Sequence, residues 1–352
     1  MKEKILYWMM GVVMIYGASM LTACSNDDNE DGPDTPGYQG MPLVILDTDM
    51  GSSTDDLFSL EMLCRYDEQG RCRLLGVVVD REGEDCAACA DVMDTYFGHG
   101  DVPIGLVRNG VKEPKVWIDY RDVLPNAKNA DGTRMFKHSI NDYSTLLDGW
   151  QLYRKLLAAQ PDKSVSICSI GFLTCLAQLL ESKGDTYSPL TGVELVRQKV
   201  KCIYVMGGVF GEAVEPDYNF SQAIEFSKKF FELWPEDVDV IFSPAEVGDN
   251  IEYKPEQVIA DIDWTDVHPI KQVYMKCNCN TGQKMWDPMA VINAVEGDGL
   301  FRLSDRGFVT LTETALTIFH PDATGCCRYQ FPGDAAWNSK MLDKIREMNK
   351  IH

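Results

Sequence analysis

The chain has 352 residues, 45% of them apolar, with 54 Asp and Glu against 33 Lys and Arg and a formal net charge of −21. The apolar content is enough for a large core, which excludes a disordered chain and a small domain held together by disulfides. The acidic excess argues against nucleic acid and anionic lipid as partners, because phosphate groups attract Lys and Arg.

The first 23 residues are predicted to be a secretory signal peptide. Lys2 and Lys4 precede an apolar run that ends in Leu21-Thr22-Ala23-Cys24, and a basic start, an apolar stretch and small residues before a cleavage site are typical of such signals. The motif resembles a bacterial lipobox, so we expect a lipidated Cys24 to anchor an exported protein, on the periplasmic side or the cell surface. The alternative is a transmembrane anchor, since the run approaches the length of a membrane span.

Residues 24–40 are predicted to be an acidic tether and residues 41–352 a single domain. The tether has five acids, no basic residue and several Gly and Pro, so it cannot bury apolar area and should be flexible. Eleven cysteines follow Cys24, and we expect them to be structural or disulfide-bonded. A zinc site is not favoured, because no cluster of His lies near Cys86-Ala87-Ala88-Cys89.

The domain alternates short apolar strands with helical segments. Strands are predicted at 43–46, 74–79, 102–107, 165–168, 200–205 and 238–242, helices at about 54–65, 84–97 and 173–180, and a late hairpin at 309–311 and 315–319. Continuous apolar strands alternating with helices predict an α/β fold, with a mostly parallel central sheet and helices on both faces. Ligands bind such sheets at the carboxyl ends of the strands, so the residues after each strand are the candidate site.

The first strand is followed by acidic residues. Asp47, Asp49, Asp55 and Asp56 fall within ten residues, and that segment contains no Lys or Arg. Carboxylates packed this closely need a compensating charge, or their pKa values rise. A hard divalent cation with oxygen ligands, calcium or magnesium, would compensate them. Thr54 would then cap the following helix and aim Asp55 and Asp56 into the site. The alternative is a turn capped by Thr54, with acids that complement the helix dipole, but this explains only two of the four.

Five motifs in chain order resemble those of the nucleoside hydrolase family. The family opens with Asp-x-Asp-x-Gly-x-Asp-Asp, and here two extra residues precede the last pair. The matching segments are 47–56, Ile170-Gly171-Phe172-Leu173-Thr174-Cys175, Val205-Met206-Gly207-Gly208, Asp217-Tyr218-Asn219 and Trp286-Asp287-Pro288. Each motif is weak alone, but together they span nearly all of the mature domain. The resemblance implies the Rossmann-like fold of that family, with the active site at the carboxyl ends of the strands.

The resemblance also implies a calcium site. Its ligands would be the carboxylates of Asp49, Asp56 and Asp287 and the backbone carbonyl of Ile170. Asp47 would be a nearby supporting acid. The implied reaction is hydrolysis of the N-glycosidic bond of a nucleoside, in which Asp49 takes a proton from a calcium-bound water. The acidic pocket would stabilise an oxocarbenium-like transition state.

The substrate contacts follow from the same resemblance. Asp55 and Asn219 would bind the ribose 2′ and 3′ hydroxyls, Asp217 would reach the 5′ side, and Met206 would pack on the sugar. The implied ligand is a neutral nucleoside rather than a nucleotide, because a 5′-phosphate would face Asp217. The family is often dimeric or tetrameric, so a homo-oligomer is also implied.

The chain departs from the family pattern near the leaving group. Trp286 stands where one branch has a His, and the Trp-Asp pair is closer to the purine-preferring branch, in which aromatic rings stack on the base. Trp117 is a candidate for the second stacking ring, and ordinary core packing is the alternative role for Trp286. The Asn expected after the second strand is absent, and Asp80, Glu82 or Glu84 occupies that region.

Two other functions stay open at the level of the sequence. The chain could be a nucleoside- or sugar-binding lipoprotein that keeps the metal site without turnover. It could also be a magnesium-dependent phosphatase with an aspartate nucleophile, since Asp47-Thr48-Asp49 has that spacing.

Overall fold

The computed structural model describes residues 40–111, 114, 116–277, 279 and 281–351. The predicted signal peptide, Cys24 and the tether up to residue 39 lie outside the described residues. The described residues all belong to one compact unit. Among the described residues, no helix combines the length and the apolar character that a membrane crossing requires.

Eleven strands are described. They are β1 (Leu43–Thr48), β2 (Arg73–Arg81), β3 (Ile104–Val111), β4 (Val165–Ser169), β5 (Val200–Met206), β6 (Asp239–Ser243), β7 (Glu252–Tyr253), β8 (Gln283–Lys284), β9 (Gly307–Leu311), β10 (Thr317–Pro321) and β11 (Cys327–Tyr329). Nine of them form the central sheet in the order β10-β9-β11-β6-β5-β4-β1-β2-β3, and β7 pairs with β8. The strands from β3 to β11 in this order are parallel, while β9 and β10 add an antiparallel edge.

Twelve α-helices are described. They are α1 (Asp55–Glu68), α2 (Glu84–Tyr96), α3 (Gly149–Ala158), α4 (Thr174–Glu181), α5 (Gly192–Lys199), α6 (Tyr218–Gln222), α7 (Ile224–Leu233), α8 (Ala245–Gly248), α9 (Pro255–Asp261), α10 (Pro269–Lys276), α11 (Asp287–Glu296) and α12 (Ala335–Asn349). Two short 3₁₀ turns occupy Tyr143–Thr145 and Asp298–Leu300.

The helices cover both faces of the sheet because strand side chains alternate between the faces. Val44 and Leu46 of β1 pack in one core with α1, α2, α11 and α12. Ile45, between them, packs in the other core with α3, α4, α5 and α7. A strand buried on both faces needs apolar residues at successive positions, which is why the parallel strands read as continuous apolar runs.

The structure confirms the predicted α/β class, the mostly parallel sheet and the late hairpin. Strand β11 was not predicted, because its three residues are too few for an alternating pattern to stand out. It lies parallel to β6 and joins the hairpin to the rest of the sheet. The eleven cysteines from Cys64 to Cys327 are free thiols and all but Cys277 are buried, so they fill the core and form no disulfides.

Helix α1 carries a buried carboxyl group two turns beyond its acidic start. Glu61 is 0% exposed, and neither of its carboxylate oxygens has a hydrogen-bond partner. Arg65 and His268 approach it only to 3.9 Å. Burial raises the pKa of Glu61 to about 8 and lowers the pKa of His268 to about 3, so at pH 7 both groups are mainly neutral.

This burial predicts a pH dependence of stability. The folded protein holds a proton on Glu61 that the unfolded chain releases near the ordinary pKa of 4.5. The contribution of Glu61 to the free energy of unfolding is therefore complete below pH 4.5. It is lost as the pH rises through about 8, by at most about 1.4 kcal/mol per pH unit. In urea unfolding from pH 5 to 8, the free energy of unfolding of the wild type relative to that of Glu61→Gln should fall as the pH rises. Glu68→Gln, an exposed position on the same helix, is the control. Parallel profiles for the wild type and Glu61→Gln would contradict the prediction.

Candidate metal centre

The site lies at the carboxyl ends of three neighbouring strands. In the register of the sheet, β1 lies between β2 and β4, with Thr48 beside Val79 and Asp47 beside Ser169. The chain beyond β4 approaches Asp49 so closely that a Cβ at Gly171 would lie 2.3 Å from the Asp49 nitrogen. The absence of a side chain at Gly171 therefore allows the ends of β1 and β4 to come together.

Two helices place three buried carboxylates at this edge. Asp55 and Asp56 occupy the first turn of α1, and Asp287 is the first residue of α11. Each of the three offers an oxygen within 4.8 Å of the others. The Asp287 backbone N–H also donates to Asp55 Oδ2 at 3.3 Å. Helix N-termini stabilise negative charge, so two of them facing one another help to assemble the cluster.

Local hydroxyls orient two of these acids. The Thr48 hydroxyl donates to Asp56, and the hydroxyl of Ser53 donates to Asp55. Thr54 stands at the N-cap of α1, but its side chain makes no capping bond; its hydroxyl instead lies 3.2 Å from the Tyr274 hydroxyl. The expectation that the Thr54 side chain caps the helix is therefore wrong. The hydroxyls of Thr48 and Ser53 orient the acids instead.

The raised pKa values of the three clustered acids favour a bound cation. Burial raises the pKa of Asp55 to about 6. Burial and the neighbouring carboxylates raise the pKa of Asp56 and of Asp287 well above the ordinary range. In the part of the chain that the structure describes, no Lys or Arg forms an ion pair with these three acids. Buried oxygen ligands of this kind fit a hard divalent cation.

Asp49 is held by an arginine rather than grouped with those three acids. The fully buried Arg81 donates from Nη2 to Asp49 Oδ2 at 2.7 Å and from Nε to the Asp49 carbonyl at 2.8 Å. Burial raises the pKa of Asp49, and the arginine opposes that shift. Sequence reasoning missed this contact because the cation comes from the end of β2, outside the acidic segment, although a basic residue at a strand end was a visible signal.

A second pair of acids lies beside the site. Tyr153 donates to Asp47 Oδ2 at 2.7 Å, and the Cys175 backbone N–H donates to Asp80 Oδ1 at 2.9 Å. Burial and the partner carboxylate raise the pKa of Asp47 well above its usual range, and burial raises the pKa of Asp80 to about 6. In the region where the family has Asn, Arg81 therefore contacts Asp49, while Asp80 faces Asp47.

The predicted sugar-binding residues also converge. Asn219 donates from Nδ2 to the carbonyls of Ile170 and Met206, at 3.3 and 3.2 Å, and approaches Met206 Sδ at 3.3 Å. Asp217 is the N-cap of α6 and accepts from the Phe220 backbone N–H at 2.9 Å; burial raises its pKa to about 6. One amide thus joins the ends of β4 and β5.

The two predicted stacking residues have different surroundings. Trp117 is 54% exposed, and its ring lies 4.3 Å from that of Tyr218, which precedes Asn219. The Trp117 backbone N–H donates to Ser52 Oγ at 3.0 Å, so the acidic segment anchors the backbone of Trp117. The Trp286 indole donates to Asp249 at 2.8 Å, and the residue packs closely against Gly248. Trp286 is therefore a fixed ring, and Trp117 an accessible one.

Comparisons with known proteins agree with this geometry. Residues 44–325 match the sequence model of a family described as inosine-uridine preferring nucleoside hydrolase. A comparison with curated proteins found no match.

Several solved structures share the fold. An inosine-uridine preferring nucleoside hydrolase from Bacillus anthracis is 17% identical with a TM-score of 0.65, over 88% of this chain and 99% of the other. An inosine-guanosine nucleoside hydrolase is 16% identical with a TM-score of 0.65, over 88% and 99%. A purine-preferring ribonucleoside hydrolase from Gardnerella vaginalis is 16% identical with a TM-score of 0.62, over 88% and 100%.

The three-acid cluster predicts how stability responds to cations. In chelator, Asp287→Asn should raise the unfolding temperature by a few degrees, because it removes one of three mutually repelling buried carboxylates. We expect calcium to raise the unfolding temperature of the wild type, and the same substitution should abolish most of that rise, because one candidate ligand is lost. Thermal unfolding with EDTA and with calcium measures both effects. Asp263→Asn, at an exposed position, is the control. A wild type that calcium does not stabilise would contradict the assignment.

Proposed function

Because the chain belongs to the nucleoside hydrolase family, whose members are N-glycosyl hydrolases, we propose that it hydrolyses ribonucleosides, preferably purine ones, to free base and ribose. The observation that carries the proposal is the buried cluster of Asp55, Asp56 and Asp287 beside Asp49, at the carboxyl ends of the strands. Such a cluster of carboxylates stabilises the positive charge that develops on the sugar when an N-glycosidic bond breaks.

The cation is proposed to be calcium. Asp56 and Asp287, with Asp49 and the Ile170 carbonyl, are the proposed ligands, and the set is made of oxygen atoms alone, which suits a hard cation. When bound, calcium would supply Lewis-acid polarisation and orient the reacting groups. The proximity of Asp55 to this set supports a role at its edge, where its carboxylate would accept a hydrogen bond from a ribose hydroxyl.

Asp49 is the proposed general base. Arg81 occupies Asp49 Oδ2, so Oδ1 is the oxygen that would take the proton from the attacking water. The base must lie within hydrogen-bond reach of that water, and the double contact of Arg81 with the Asp49 carbonyl and carboxylate holds it in one orientation.

The remaining residues are proposed to bind the sugar and the base. Asn219 and Asp217 would bind ribose hydroxyls, and Met206 would pack on the ring, since all three are buried at the ends of β5 and α6. Trp117 and Trp286 would stack on the base, which favours purines because their larger rings gain more from stacking. This proposal assigns no histidine as the acid that protonates the leaving base. Stacking on the aromatic rings would activate the base instead.

The site of action is proposed to be outside the cytoplasm. Residues 1–23 have the pattern of a signal peptide, Cys24 is the proposed lipid anchor, and residues 24–40 are the proposed tether. Export would place the hydrolase where it meets extracellular nucleosides, for salvage of the base and sugar.

A substrate panel tests the proposed reaction. The purified chain should release reducing sugar from inosine, guanosine and adenosine faster than from uridine, and EDTA should abolish the release. Asp49→Ala should lower the turnover number by roughly 10²- to 10⁴-fold, the range for loss of a general base. A generic phosphate ester is included as a control substrate. Tight nucleoside binding without sugar release would favour the binding lipoprotein, and cleavage of the phosphate ester alone would favour the phosphatase.

The stacking role of Trp117 has its own test. Trp117→Ala should lower kcat/KM for inosine by about 10-fold, the effect of losing one base–aromatic stack, while Trp117→Phe keeps most of it. Because Trp117 is largely exposed, neither substitution should change the unfolding temperature by more than a degree or two. Steady-state kinetics with inosine measure the effect. Equal kcat/KM for the Ala and Phe variants would show that the ring does not stack on the base.

A further inference from the structure

Arg81 is a buried cation inside a group of acids. It is the last residue of β2 and is 0% exposed. Six buried carboxylates lie at this edge of the sheet; they are Asp47, Asp49, Asp55, Asp56, Asp80 and Asp287. Among the described residues, Arg81 forms the one ion pair with any member of this group, and that member is Asp49.

The contacts of Arg81 fix its guanidinium in one orientation. Two nitrogens bind the carboxylate and the carbonyl of Asp49, as described above. Nη2 also lies 3.4 Å from the Tyr218 hydroxyl, and the guanidinium stacks 5.3 Å from the centre of the Phe172 ring. A planar guanidinium can make all of these contacts at once, whereas the compact ammonium group of Lys cannot.

The guanidinium is not fully satisfied by protein atoms. Arg81 Nη1 is buried and has no hydrogen-bond partner. An unsatisfied buried donor is costly, so a residue kept in this state is expected to have a function beyond packing. Its positive charge also opposes the attraction of the neighbouring acids for any other cation.

We propose that Arg81 is a positioning residue that fixes the Asp49 carboxylate for the reaction and, through its charge, lowers the affinity of the acid cluster for a divalent cation. The positioning role rests on the proposed function of Asp49. The effect on cation affinity does not, because it follows from the positive charge of Arg81, which acts on both Asp49 and Asp56. The hydrogen bond from Arg81 to Oδ2 holds the Asp49 carboxylate in one orientation. Removal of the guanidinium makes the net charge of the site more negative by one.

The first experiment measures calcium affinity of the full-length chain by isothermal titration calorimetry. Arg81→Gln should bind calcium at least about tenfold more tightly than the wild type, because one opposing charge is gone. Arg81→Lys, which keeps the charge, should stay within about threefold of the wild type. Arg154→Gln is the matched control, since Arg154 is equally buried but pairs with Asp185 instead. A folded Arg81→Gln variant with unchanged or weaker calcium affinity would overturn the proposal.

The second experiment measures turnover at saturating calcium. Arg81→Lys should lower kcat by at least about tenfold with little change in KM, because the ammonium group cannot hold both the carboxylate and the carbonyl of Asp49. Wild-type kcat in this variant would overturn the positioning role. This arm also decides the positioning role if Arg81→Gln does not fold, which circular dichroism and thermal unfolding would reveal; Arg81→Met, which also removes the charge, then takes its place in the calcium titration.

The two experiments separate this proposal from the proposed function. If the wild type cleaves no nucleoside, the proposed function fails, but the calcium titrations still measure the effect of Arg81 on the cluster. If the wild type cleaves nucleosides and Arg81→Lys does so at the same rate, the proposed function stands and the role of Arg81 falls.

Discussion

The repulsion between buried carboxylates at one edge of the sheet is the constraint on which the rest of the site depends. Asp55, Asp56 and Asp287 lie within reach of a single ion, and burial raises the pKa of each. A fold that places such groups together must compensate them or lose stability. Two helix N-termini and two hydroxyl donors compensate them in part, and a divalent cation is suited to supply the remainder.

The scaffold explains how the cluster can be assembled at all. Apolar strands buried on both faces make the sheet rigid, and their parallel direction brings the ends of β1, β2 and β4 together. Asp49, Arg81 and Ile170 therefore meet although the sequence separates them by up to 121 positions. Helix α11 returns to the same edge and adds Asp287 from the far end of the chain. Site residues fixed on strand ends and helix starts are positioned more accurately than residues on long loops.

The segment between Gly51 and Asp55, which is two residues longer than in the family motif, gains a role from the structure. Ser53 orients Asp55, and Ser52 anchors the backbone of Trp117. The Ile118 N–H also donates to the Ser52 carbonyl at 2.9 Å. The longer segment thus joins the acid cluster to Trp117, whose ring packs on Tyr218.

The sequence alone determined the fold class, most of the strands and the acidic strand end. These features depend on local periodicity and on residue type, which a single sequence carries. It also placed Asn219 near Ile170 and Met206, but only through the resemblance of the motifs to a known family. Strand β11 escaped prediction because three residues carry too little pattern.

Only the tertiary structure decided which acids cluster together and which of them pairs with an arginine. Asp49 and Asp56 look equivalent in the sequence, yet Arg81 binds one while the other faces Asp55 and Asp287. Likewise, Thr54 has the sequence of a helix cap but its hydroxyl contacts Tyr274, a residue 220 positions away. Such choices depend on contacts between distant segments, because the energy of a buried charge is set by its neighbours in space rather than by its neighbours in the chain.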